Sequence, residues 1–127
     1  MRITLTSVFV EDQDQARSFY TEILGFEVKT DVPVGAARFL TVVSPEGPDD
    51  VALLLEPNAS AGARAFQEAR FRQGIPATSF ATEDVEGECA RLEARGVVFR
   101  VPPTRTAWGC LAIFEDTCGN LIQLHEG

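Results

Sequence analysis

A chain of 127 residues, 45% of them hydrophobic, is long enough for a single domain with its own core and too apolar to be intrinsically disordered. Its 19 acidic and 11 basic residues give a net charge of −8, which disfavours nucleic acid and anionic membranes as partners. No apolar run approaches the roughly 18 residues of a membrane span, and the N-terminal stretch lacks the features of a signal peptide, so a cytoplasmic protein is expected.

The first half of the chain predicts one strand, one helix and three further strands. Residues 5–12 (LTSVFVED) alternate as a strand does and end on Asp12, a favourable helix N-cap. A helix then follows to Gly25, which suits a left-handed C-terminal cap, and its apolar face comprises Ala16, Phe19, Tyr20, Ile23 and Leu24. The next strands are predicted at Phe26–Thr30, Ala37–Val43 and Val51–Glu56.

The second half repeats this order. Residues 77–84 (ATSFATED) match residues 5–12, and Asp84 and Gly96 bound the second helix as Asp12 and Gly25 bound the first. Strands are predicted at Val97–Val101, Ala107–Glu115 and Asn120–His125, and Pro102 and Pro103 are expected to end the first of them. The three cysteines include no CxxC pair, which disfavours a disulfide framework or a zinc knuckle, and Cys89 lies on the apolar face of the second helix.

The repeat predicts an α+β fold of two tandem βαβββ modules that form a cupped mixed sheet. Residues 1–127 then make a single domain, with module one at about 1–57, a linker at about 58–75 and module two at about 76–127. A short helix is predicted within the linker, at Ala63–Arg72. Each module is too small to hold a core alone, so the two modules are expected to pack together around a concave floor suited to a small ligand.

Two segments carry a resemblance to a known family. The opening VFVEDQDQARSFYTEILGFEV and the ending EDTCGNLIQLHE resemble those of the vicinal oxygen chelate superfamily, which includes glyoxalase I, extradiol dioxygenases and bleomycin resistance proteins. The resemblance covers essentially the whole chain and implies a homodimer. It also implies, for enzymatic members, one divalent metal held by His, Gln or Glu side chains from the first and last strands of each module.

The positions that this resemblance assigns to metal ligands are Leu5, Leu54, Ala77 and Gln123. A divalent ion needs several oxygen or nitrogen donors at one point, so no metal is expected there and no cofactor is implied. A displaced ligand set is the alternative, because side chains two positions apart on a strand share a face. That set comprises Glu56, Gln123 and His125.

Several side chains are expected to line the cup. Strand alternation places Glu56 opposite His125 and Ser7 opposite Ser79 around the same floor, with Phe9 on the same face as Ser7. Trp108, the only tryptophan, is a candidate wall for a ligand. The predicted ligand-binding residues are Ser7, Phe9, Glu56, Ser79, Trp108, Gln123 and His125, and Glu56 and His125 are also weak candidates for acid–base catalysis.

Four functions follow from these features. The first is binding of a small molecule, favoured if cationic, without the usual metal. The second is a metal-dependent lyase or dioxygenase that uses the displaced set. The third is a metal-free enzyme with Glu56 or His125 as general base, and the fourth is an interaction module whose cup has lost its function. The residues favour the first and identify no substrate.

Overall fold

The structure, a computed structural model, describes residues 1–127 and divides into two compact units, Met1–Ala65 and Phe66–Gly127. The first unit holds four strands, which are β1 (Leu5–Val10), β2 (Glu27–Val34), β3 (Ala37–Val43) and β4 (Ala52–Pro57). The second unit also holds four strands, which are β5 (Thr78–Thr82), β6 (Phe99–Thr106), β7 (Gly109–Glu115) and β8 (Leu121–Glu126). The helices are α1 (Gln13–Ser18), α2 (Ala61–Arg72) and α3 (Val85–Ala94). Two four-stranded mixed sheets with three helices confirm the predicted α+β class.

Both sheets have the same topology. The strand orders are β1-β4-β3-β2 and β5-β8-β7-β6, and in each sheet the first and last strands of the repeat are parallel neighbours. In the first sheet Ser7 lies beside Leu54, and in the second sheet Ser79 lies beside Gln123. Strand pairing therefore makes Leu54 and Gln123 equivalent positions of the repeat.

The helix ends follow the local sequence signals. The Asp12 carboxylate accepts hydrogen bonds from the backbone N–H groups of Asp14 and Gln15, and the Asp84 carboxylate accepts one from Gly87 at 3.0 Å. Gly25 and Gly96 have φ angles of +85° and +86°, a conformation that a side chain would strain. Helix α1 continues as one π-helical turn over Phe19–Ile23, which the apolar spacing alone did not predict.

Each unit buries one face of its sheet. Val8 and Val10 of β1 are buried, whereas Leu5 and Ser7, on the opposite face, are exposed. In the second unit the buried side chains of α3 and β7 are Val85, Cys89, Leu92, Cys110, Ala112 and Phe114. The prediction that Cys89 lies on the apolar face of its helix is confirmed, since its side chain is buried. None of the helices has the length and apolar character needed to cross a membrane.

The prediction that Pro102 and Pro103 end a strand is wrong. Strand β6 continues to Thr106, and it pairs with β7 on both sides of the two prolines, with a register shift between Val101 and Thr104. The strand tolerates the two missing N–H groups because β6 is the outermost strand of its sheet and because its register with β7 shifts at the prolines, where neither of them is paired. The linker helix, by contrast, is present as predicted and spans Ala61–Arg72.

Candidate ligand-binding site

A pocket of about 420 Å³ opens on the second unit between strands β5, β7 and β8 and the tip of the β6–β7 hairpin. We call it the Trp108 pocket. Its lining consists of Ser79, Thr106, Trp108, Gly109, Cys110, Leu111, Gln123, His125 and Glu126. Its volume lies within the range of about 300–1,000 Å³ that is usual for small-molecule sites.

Three of the predicted site residues form one hydrogen-bonded array in this pocket. The Ser79 Oγ lies 2.7 Å from the His125 Nδ1, and the Gln123 Nε2 donates to the same Oγ at 3.2 Å. The array follows from strand register, since β5 and β8 are parallel and Ser79 pairs with Gln123 while Ala81 pairs with His125. Gln123 and His125 are half-buried and Ser79 is exposed, so a ligand in the pocket can reach all three.

Trp108 stands at the tip of the hairpin that joins β6 to β7. The Thr106 hydroxyl fixes this turn, because it donates to the Gly109 carbonyl at 2.7 Å and accepts from the Trp108 N–H at 3.1 Å. The indole is 93% exposed although it lines the pocket. A large aromatic ring held over an open pocket offers a stacking surface that no protein side chain occupies.

Sequence reasoning missed Glu126, a charged residue that lines the pocket. The Glu126 Oε2 accepts hydrogen bonds from the Arg105 Nη1 at 3.1 Å and from the Cys110 N–H at 3.4 Å. Arg105 pairs with Cys110 across the β6–β7 hairpin, which brings its guanidinium to the end of β8. The only sequence signal was the opposite charge of the two residues, and their contact depends on the register between three strands.

The remaining predicted residues belong to the first unit. Ser7 is exposed, Phe9 and Glu56 are half-buried, and Phe9 pairs with Glu56 in the parallel register of β1 and β4. The Glu56 carboxylate forms no hydrogen bond or ion pair within the chain. The proposed pairing of Glu56 with His125 would join the two units, and it stays a prediction.

The positions that the family resemblance assigns to metal ligands do not fit a divalent ion. Leu5, Leu54 and Ala77 carry no donor atoms in their side chains, so the Gln123 amide oxygen is the one side-chain donor at these four positions, where a divalent ion needs several. The structure also contains no group of three or more His, Cys, Asp or Glu side chains arranged to hold a metal.

The cysteines are buried and unbridged. Burial, with smaller contributions from Cys110, Glu88 and Glu93, raises the pKa of the Cys89 thiol from 9.0 to about 11. A thiol with a raised pKa carries little thiolate at neutral pH and is a poor nucleophile.

A duplicated βαβββ fold with an open ligand pocket beside the last strand defines a class of small-molecule-binding proteins and enzymes. Within that class, the chain belongs to the Glyoxalase/Bleomycin resistance protein/Dioxygenase superfamily, which it matches over residues 2–124. Members of this superfamily bind small molecules, and many of them use a divalent metal.

Two kinds of relative support this membership. The uncharacterized protein YurT of Bacillus subtilis (strain 168) is 49% identical over 98% of both chains. Among solved structures, UcmS2 superposes with a TM-score of 0.87 at 30% identity, covering 100% of this chain and 98% of that one. TnmS3, an antibiotic binding protein from Streptomyces sp. CB03234, has a TM-score of 0.76 at 32% identity, covering 99% and 95% of the two chains.

Proposed function

We propose that this protein binds a small molecule in the Trp108 pocket without a metal ion at the family's ligand positions. One observation carries the proposal. The pocket combines an exposed indole with the hydrogen-bonded array of Ser79, Gln123 and His125, while three of the four expected metal-ligand positions carry side chains without a donor atom. Such a site recognises a ligand by stacking and by directed hydrogen bonds.

The charge of the protein limits the ligand class. A net charge of −8 attracts cations and repels anions, and the one arginine beside the pocket, Arg105, is already paired with Glu126. A neutral or cationic ligand is therefore favoured. The likeness to TnmS3, an antibiotic binding protein, supports a ligand of antibiotic type and a role in sequestering it.

Trp108 allows binding to be followed directly, because it is the only tryptophan in the chain. A ligand stacked on the indole should quench or shift its fluorescence. Removing the ring in Trp108→Ala should weaken binding by roughly 10- to 100-fold, since a buried aromatic contact contributes about 1.5–3 kcal/mol. Phe66→Ala is a matched control, because Phe66 is an aromatic residue with 56% exposure on helix α2, outside the pocket lining.

The proposal is tested first by metal content and then by ligand screening. Protein equilibrated with Mn, Fe, Ni and Zn and then dialysed is analysed by inductively coupled plasma mass spectrometry, and we expect no stoichiometric metal. About one ion per chain, lost in His125→Ala, would overturn the metal-free proposal and favour the displaced set of Glu56, Gln123 and His125. A thermal-shift screen of cationic and aromatic compounds should then find ligands that stabilise the wild type and not Trp108→Ala.

Two further expectations belong to this proposal. The family resemblance implies a homodimer, and composition predicts a cytoplasmic protein that contacts neither nucleic acid nor membrane. Both stay predictions.

A further inference from the structure

The hydrogen bonds of the array have a direction. The Gln123 Nε2 can only donate, so the Ser79 oxygen accepts this bond at 3.2 Å. The Ser79 hydroxyl hydrogen is then available for the His125 Nδ1, which lies 2.7 Å away. If Ser79 donates, Nδ1 must carry a lone pair, and the neutral ring holds its proton on Nε2.

The other ring nitrogen is left for a ligand. The His125 Nε2 forms no hydrogen bond within the chain, and the half-buried ring lines the Trp108 pocket. The pocket therefore presents one N–H group whose partner must accept a hydrogen bond. A ligand that offered only a second donor there would leave both donors unpaired, which disfavours binding.

We propose that the relay from Gln123 through Ser79 fixes His125 as an Nε2–H donor, and that the site thereby selects ligands with a hydrogen-bond acceptor, such as a carbonyl oxygen, next to an aromatic ring. The ligand part of this proposal rests on the proposed function, whereas the tautomer is a property of the free protein. The two parts can therefore fail separately.

Position 123 provides a substitution that reverses the relay. A glutamate carboxylate only accepts, so in Gln123→Glu the Ser79 hydroxyl donates to residue 123 and accepts from a protonated Nδ1. The neutral ring then exposes a lone pair at Nε2. Gln123→Leu, which copies the equivalent Leu54 of the first unit, removes the relay without reversing it. Gln73→Glu, at an exposed position that does not line the pocket, controls for the added charge.

Nitrogen NMR of protein with ¹⁵N-labelled histidine tests the tautomer. His125 is the only histidine, so the spectrum contains a single pair of ring nitrogens. Above the pH at which the ring titrates in the same experiment, we expect an unprotonated Nδ1 and a protonated Nε2 in the wild type and in Gln73→Glu. Gln123→Glu should show the opposite pattern. A protonated Nδ1 in the wild type, or an unchanged pattern in Gln123→Glu, would overturn the relay.

Two planar probes that differ in one carbonyl group test the ligand class. Quenching of Trp108 fluorescence is measured with 9-fluorenone, which has a carbonyl acceptor, and with fluorene, which lacks it. One hydrogen bond should make fluorenone bind wild type roughly 3- to 10-fold more tightly, and the difference should vanish in Gln123→Glu. Equal binding, or no binding of either probe, would overturn the acceptor selection. Retained metal with the expected NMR pattern would instead overturn the proposed function together with the ligand part that rests on it, and would leave the tautomer of the free protein standing.

Discussion

The turn between β7 and β8 is held by a buried carboxylate whose removal should destabilise the second unit. Asp116 is 0% exposed, and its Oδ1 accepts from the N–H groups of Cys118 and Asn120 at 2.8 and 3.0 Å. Its Oδ2 accepts from the Asn120 side-chain amide at 2.8 Å. Gln67 of α2 extends this network, since its Nε2 donates to the Cys118 carbonyl at 2.9 Å and to the Asn120 Oδ1 at 3.2 Å.

The magnitude follows from the groups that lose a partner. A hydrogen bond to a charged group contributes about 1.5–3 kcal/mol, and such terms in one network are not additive. Asp116→Ala removes the acceptor of two backbone N–H groups and of the Asn120 amide at a buried turn, so we expect the free energy of unfolding to fall by about 3–5 kcal/mol. Asp116→Asn keeps the Oδ1 but turns an amide nitrogen towards the Asn120 amide nitrogen. We expect a smaller loss of about 1–2 kcal/mol.

Urea denaturation followed by circular dichroism measures both variants. Glu115→Ala is the matched control, because this adjacent carboxylate is partly exposed and forms a 3.3 Å ion pair with Arg100, which should contribute less than about 1 kcal/mol. If Asp116→Ala cost no more than Glu115→Ala, the turn would not depend on the buried carboxylate and the reasoning would be refuted.

The remaining predictions concern pH, backbone conformation and one buried hydroxyl. Because the pKa of Cys89 is raised above 9.0 to about 11, its stabilising contribution is full below pH 9.0 and declines towards pH 11. In urea denaturation between pH 9.0 and about pH 11, the free energy of unfolding should fall less steeply with pH in Cys89→Ala than in the wild type. Parallel curves would contradict this. Gly25→Ala should lower the melting temperature, because the φ angle of Gly25 is +85° and a side chain strains that conformation. Gly62→Ala should instead raise the free energy of unfolding by about 0.5 kcal/mol, because Gly62 lies in helix α2 and no atom is near the added carbon. The Thr41 hydroxyl is buried without a partner, so Thr41→Val should stabilise by about 1 kcal/mol in the same assay; a loss would mean that the hydroxyl is hydrogen-bonded in solution.

The sequence predicted those parts of the fold that depend on neighbouring residues. The N-caps at Asp12 and Asp84 and the helix end at Gly25 are local features, and the structure contains them. The continuation of β6 through Pro102 depends instead on the strand lying at a sheet edge, which only the assembled topology decides. Local sequence could not supply that information.

For the candidate site, too, strand alternation predicted which residues share a face, but not the contacts between them. Strand alternation predicted Ser79, Gln123 and His125 on the floor of the cup, and the structure adds the hydrogen bonds that join them. Their role in binding stays a prediction. The Arg105–Glu126 contact was not foreseen, since it requires β6, β7 and β8 to be in register at the hairpin.

Residue 123 shows why the same backbone can serve two chemistries. A glutamate there would supply the negative oxygen that a divalent ion prefers, but it could not donate to Ser79. Glutamine has the opposite properties, because it is a weak metal ligand and its amide N–H starts the relay that fixes His125. The equivalent Leu54 has neither property, so the first unit lacks both chemistries at this position although its strands pair in the same register. One side chain thus accounts for both the unsuitability of this position for metal and the directed donor that we infer in its place.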